Sequence, residues 1–69
     1  MKVSIFAYFN PPIVSRYLYD ELEPYKLNVT DLIEKVVAYG DLEDYKLGEV
    51  IQILLKYGSN NITITNPSI

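Results

Sequence analysis

Few side chains in this sequence are of the types that carry catalysis. The 69 residues include no histidine and no cysteine, which removes the commonest general base and the strongest nucleophile. The three glycines are too scattered to form a phosphate-binding loop. Asp41, Glu43 and Asp44 group three carboxylates, but at an expected helix start, where the helix dipole favours acids. We therefore predict no catalytic residue, no metal site and no cofactor, in a protein that is not an enzyme.

The other candidate residues lie on an alternating segment near the N-terminus. Residues 2–9 read Lys-Val-Ser-Ile-Phe-Ala-Tyr-Phe, which predicts a β-strand with two different faces. One face is apolar and suited to a core. The other is mixed and comprises Lys2, Ser4, Phe6 and Tyr8. Two simpler roles are possible for this mixed face. Lys2 and Ser4 could be exposed to solvent only, and Phe6 and Tyr8 could pack under a C-terminal element.

Three helices and a tail are predicted after this strand. Pro11 and Pro12 suit a first helical turn, so helix A is expected over 11–22, ended by Pro24. Helix B is expected over 28–39, with Asn28 as its cap and Gly40 as its stop. Helix C is expected over 42–57, before Gly58. Residues 59–69 form a tail, for which a frayed end is favoured over a short edge strand.

Composition and charge limit the class of protein. One domain, residues 1–69, is near the lower size limit for a self-sufficient core, and without cysteine it cannot be stabilised by disulfides, so oligomerisation is expected. No signal peptide and no apolar run of about 20 residues is found, which predicts a cytoplasmic protein outside the membrane. The net charge of −3 disfavours nucleic-acid binding. The first strand, however, contains no acid.

Residues 3 to about 39 resemble the ribbon-helix-helix proteins of the Arc/MetJ type. The resemblance rests on the strand, the proline-containing entry to helix A, and the stretch Tyr25-Lys26-Leu27-Asn28-Val29-Thr30-Asp31-Leu32-Ile33-Glu34-Lys35-Val36-Val37. Lys26 departs from the family, which usually has glycine there, and helix C lies outside the motif. The Tyr-, Ile- and Asn-rich composition is similar to that of small proteins of thermophilic archaea and their viruses, which would place a viral version in the host cytoplasm.

The resemblance implies a mostly α fold with one N-terminal strand. Two chains would pair these strands into an intermolecular antiparallel ribbon, giving a homodimeric transcription regulator that reads double-stranded DNA in the major groove. Lys2, Ser4, Phe6 and Tyr8 would contact bases. Asn28, Val29 and Thr30, at the N-terminus of helix B, would contact phosphate, although Asn28 could simply cap the helix. The alternative is a protein–protein interaction module of the same fold, antitoxin-like or a viral adaptor, with helix C contacting an additional protein partner.

Overall fold

The computed structural model describes residues 1–9, 16–31 and 35–66. In chain order its elements are strand β1 (Lys2–Phe9), helix α1 (Arg16–Leu22), a 3-10 turn (Glu23–Tyr25), strand β2 (Asn28–Asp31), strand β3 (Lys35–Asp41), helix α2 (Asp44–Lys56) and strand β4 (Ser59–Thr65). Neither helix described here has the length and apolar character needed to cross a membrane.

The four strands form one antiparallel sheet in the order β2-β3-β1-β4. Residues 2–8 of β1 pair with residues 35–41 of β3, and residues 4–9 pair with residues 59–65 of β4. β1 is therefore an inner strand with a hydrogen-bonded neighbour on each side. The order of elements, βαββαβ, with these strand neighbours is the split βαβ or ferredoxin-like arrangement, an architecture that hosts many unrelated functions.

Both helices pack on one face of this sheet. β1 supplies the largest share of the core, because an inner strand is covered along its whole length, and its four core side chains are at most 3% exposed. Burying a large apolar side chain completely contributes about 1.5–3 kcal/mol. The buried apolar residues are Val3, Ile5, Ala7 and Phe9 from β1, Leu18 and Leu22 from α1, Val36 and Ala38 from β3, Leu42, and Val50 and Leu54 from α2.

The expectation of a mostly α fold with a single strand is wrong. The segment predicted as helix B forms β2 and β3 in its described parts, while residues 32–34 lie outside the described residues. β-Branched side chains favour strands, and the sequence of this segment contains five of them: Val29, Thr30, Ile33, Val36 and Val37. Because β1 finds both of its neighbours within its own chain, a ribbon made of two β1 strands is also excluded by this fold.

The other predicted segments differ less from the structure. Helix A is represented by α1, and residues 10–15, which include the proline pair, lie outside the described residues. α2 falls within the range predicted for helix C. The tail, for which a frayed end was favoured, forms the edge strand β4, and Ser59 Oγ donates a hydrogen bond to the Tyr8 carbonyl oxygen at 3.0 Å. Lys26 adopts the left-handed conformation, with φ 57° and ψ 38°.

Candidate functional site

The second face of the sheet is not covered by either described helix. Its two inner strands present three exposed aromatic rings, with Phe6 and Tyr8 at 40% and Tyr39 at 49% exposure. We call these three rings the aromatic cluster. We call the whole surface the open face; by strand alternation and pairing it comprises Lys2, Ser4, Phe6, Tyr8, Asn28, Thr30, Lys35, Val37, Tyr39, Asp41, Asn61, Thr63 and Thr65.

The strand register fixes how the aromatic cluster is spaced. Tyr39 is paired with Ser4, so it lies diagonally across from Phe6, a relation that separates two residues by about 7–8 Å. Phe6 and Tyr8 are two residues apart on the same strand, which corresponds to about 6.7 Å. The row of three rings is therefore bent: one step crosses diagonally from β3 to β1, the next runs along β1, and the two steps are of similar length.

The structure brings most of the sequence-predicted site residues together on the open face. Lys2, Ser4, Phe6 and Tyr8 all lie on it, as predicted from the alternation. Asn28 and Thr30 share the face from β2, whereas Val29 turns to the opposite side and packs against the core. The phosphate site predicted at a helix N-terminus is not formed, because residues 28–31 are a strand, and Asn28 is for the same reason not a helix cap.

Two members of the open face on β3 were missed by the sequence prediction. Tyr39 completes the aromatic cluster, and the Lys35 Nζ atom lies 5.9 Å from the centre of the Tyr8 ring, a distance at which a cation is attracted to the ring. Both were assigned to helix B. The signal that could have found them is the alternation from Lys35 to Tyr39, where Val36 and Ala38 are buried and the residues between them are not.

Asp41 lies at one end of the open face and is the one acid found there among the side chains that the structure describes. The N-terminal amine of Met1 donates to Asp41 Oδ1 at 2.5 Å, and this hydrogen bond lowers the pKa of the Asp41 carboxyl below its usual range. Beside it is a hollow of about 290 Å³ lined by Lys2, Val3, Tyr39, Gly40 and Asp41. The hollow adjoins one ring of the aromatic cluster and has a cation and a carboxylate on its rim.

Charge is divided unevenly between the two sides of the molecule. Among the side chains that the structure describes, the open face has Lys2, Lys35 and the N-terminal amine but one carboxylate, that of Asp41. The described residues of the helical side include six carboxylates and four cations, so this side is net acidic. Its acids are Asp20, Glu21, Glu23, Glu43, Asp44 and Glu49, and its cations are Arg16, Lys26, Lys46 and Lys56. The net charge of the whole chain therefore does not describe the open face.

Among the residues that the structure describes, no group of His, Cys, Asp or Glu side chains could hold a metal ion. No protein-family model matches the chain, and a search of curated proteins gives no significant match. These comparisons do not identify a ribbon-helix-helix family, and the observed fold is not the one that such a family implies.

Proposed function

We propose that the open face binds single-stranded nucleic acid, with unpaired bases stacked on the aromatic cluster. The observation that supports this proposal is the exposure of Phe6, Tyr8 and Tyr39 together on the two inner strands. Every base has a π-face, and stacking on an aromatic side chain contributes about 1–3 kcal/mol per base. Sheets that recognise single-stranded RNA use aromatic residues in this way.

The surroundings of the aromatic cluster suit the polar parts of such a ligand. Hydroxyl and amide side chains flank the rings, and they can donate to or accept from base edges without adding charge. The flanking residues are Ser4, Asn28, Thr30, Asn61, Thr63 and Thr65. Lys2 and Lys35 are the cations available for phosphate groups, and Lys35 already stands above the Tyr8 ring.

A single strand fits this surface better than the major groove of a duplex does. The groove is about 12 Å wide and admits a two-stranded ribbon. Three inter-strand gaps of about 4.8 Å make the present sheet about 14 Å wide before its side chains are counted. A duplex also keeps its bases stacked on one another, so their faces are not available to Phe6 or Tyr39.

Titration of labelled oligo(dT) and oligo(U), with a duplex of mixed sequence for comparison, tests the proposal by fluorescence anisotropy at low salt. We expect the single strands to bind more tightly than the duplex, and Phe6→Ala to weaken binding about 5- to 150-fold. If both lysines contact phosphate, the logarithm of the affinity falls with that of the salt concentration at a slope of about −1.4.

The control for this experiment is Tyr17→Ala on α1. Tyr17 is 71% exposed, which makes it a more accessible ring than any in the aromatic cluster, but it lies on the helical side. The Tyr17→Ala variant should bind oligonucleotides with the same affinity as the unsubstituted chain. Equal loss of binding in Phe6→Ala and Tyr17→Ala, or no loss in either, would show that the open face is not the binding surface.

A protein-interaction module is the second candidate function. It is favoured by the excess of carboxylates on the helical side and by the overall charge of −3, which weaken the attraction of any polyanion. Under this alternative the aromatic cluster would be an anchor for a protein partner, since aromatic side chains are enriched at interface centres. The oligonucleotide titration separates the two, because this candidate gives no binding at any salt concentration.

A further inference from the structure

In the described part of the chain, β4 is an edge strand of the sheet. It pairs with β1 on one side only, and its seven residues, Ser-Asn-Asn-Ile-Thr-Ile-Thr, include no charged residue and no proline. In natural proteins, charged residues, prolines or bulges usually prevent an edge strand from pairing with a strand of another chain. The register irregularity of β4 is confined to its first part, opposite Tyr8 and Phe9, so residues 61–65 are regularly paired. A regular edge of this kind can accept a further strand.

An apolar strip runs along the same border of the molecule. On β4, Ile64 is 37% exposed and Ile62 is half-buried. On α2, Leu55 is 50% exposed and Ile51 half-buried. Leu55 and Ile51 lie on the flank of α2 that faces away from α1. The opposite flank of α2 contacts α1 and the 3-10 turn that follows it. There, Glu49 accepts a hydrogen bond from Tyr25, and Lys56 and Tyr57 donate to Glu21.

We propose that two copies of the chain associate through β4 and the neighbouring flank of α2. Two β4 strands would pair antiparallel about a two-fold axis and join the two four-stranded sheets into one of eight strands. Antiparallel pairing keeps both helical layers on one side, so that Leu55 and Ile51 of one copy meet the same residues of the other. The exposed backbone groups and the exposed apolar side chains are then covered by one contact.

Charge favours a second copy as the occupant of this border. Each chain carries −3, so two copies repel each other across most of their surfaces, but the strip formed by β4, Ile51 and Leu55 carries no charge. Because the two α2 helices run antiparallel in this arrangement, their dipoles are opposed, and the N-terminal end of each lies towards the C-terminal end of the other.

The mass in solution tests this proposal without any nucleic acid. Light scattering after gel filtration, from low to high micromolar concentration, should give twice the chain mass of 7.9 kDa. Leu55→Lys places an unpaired charge in the contact and should raise the dimer dissociation constant at least about tenfold. Tyr17→Lys, which introduces the same charge at a more exposed apolar position of α1, should stay dimeric.

A second variant and a second measurement guard against a trivial loss of folding. Ile64→Lys changes the strand instead of the helix and should also give monomers, with far-UV circular dichroism showing that both variants are folded. Amide hydrogen exchange should show protection of β4 in the dimer that is lost in Leu55→Lys. A mass of 7.9 kDa at every concentration overturns the proposal, as does a dimer that neither substitution weakens. Oligonucleotide binding by a monomer would leave the proposed function standing.

Discussion

The chain has two phenylalanines, and both lie on β1, three residues apart and on opposite faces of the sheet. Phe9 is 3% exposed and packs in the core beneath the helices, whereas Phe6 is 40% exposed on the open face. Composition and propensity treat the two residues alike. What separates them is the strand alternation combined with the placement of both helices on one side of the sheet.

In so small a domain, the residues of β1 that stabilise the fold and those available for binding lie on opposite faces of the strand. One face of β1 is buried in the core, so its side chains cannot contact a ligand. The other face is flanked by neighbouring strands but covered by no described helix, so its rings contribute less to folding than Phe9 and stay available. A function that needs exposed apolar surface can therefore be placed on Phe6 without weakening the core.

The largest effect is expected when the same substitution is made on each face. Phe9→Ala should lower the free energy of unfolding by about 3–5 kcal/mol, because it leaves a cavity in a packed core. Phe6→Ala should cost less, about 1–2 kcal/mol, since its side chain is 40% exposed and its removal leaves no enclosed cavity. Urea unfolding followed by far-UV circular dichroism measures both. Similar losses in the two variants would mean that the open face is covered in solution.

Two glycines, Gly40 within β3 and Gly48 within α2, sharpen the comparison at an intermediate size of effect. At Gly40 a Cβ atom would lie 2.8 Å from Leu27 Cδ2, on the core side of the sheet. Gly40→Ala should therefore destabilise by about 1 kcal/mol, because the end of the Leu27 side chain must move to admit the methyl group. At Gly48, on the exposed side of α2, a Cβ atom would meet nothing within 4 Å.

Gly48→Ala serves as the matched control, because alanine in an exposed helix interior gains about 0.5–1 kcal/mol over glycine. The two substitutions should thus move the urea midpoint in opposite directions. A gain in both variants would show that the contact between Gly40 and Leu27 is loose and that this corner of the core tolerates a methyl group.

The alternation of β1 residues between two faces of the sheet also explains which part of the fold could be predicted from the sequence. The range of β1 and the division of its residues between two faces follow from a period of two, which no other element matches as well. Gly40 and Gly58 were expected to end elements, and Gly58 does follow α2, in a left-handed conformation at φ 95°. Most of the residues of the open face on β1 were therefore identified without a structure.

The remaining part of the open face could not be found in this way. Leu32, Ile33, Val36 and Val37 fit the three- and four-residue steps of a helix as well as they fit strands, and short apolar runs are ambiguous in this respect. Asn28 and Asp31 then resembled a helix cap. The decisive fact is tertiary, because an inner strand needs two neighbours, and β3 and β4 supply them from segments distant in the chain.

The smallest effect concerns the helical side, where Glu21 of α1 is paired with two groups at the end of α2. Glu21 accepts hydrogen bonds from the Tyr57 hydroxyl and from Lys56 Nζ, the latter at 3.1 Å, and these contacts lower the pKa of the Glu21 carboxyl. A carboxyl whose pKa is lower in the folded chain stabilises the fold above its unfolded pKa of about 4.3, and this contribution disappears as the pH falls through the folded pKa.

Glu21→Gln should accordingly show a smaller fall in urea midpoint than the unsubstituted chain when the pH is lowered from neutral to below about 4. Glu23→Gln removes the same charge two residues away and leaves the contacts of Tyr57 and Lys56 to Glu21 intact, so it should keep the larger fall. Asp41 adds to the acid sensitivity of every variant, because its pKa is also lowered, by the N-terminal amine. If the three proteins lose stability in parallel, Glu21 does not hold α1 against the end of α2.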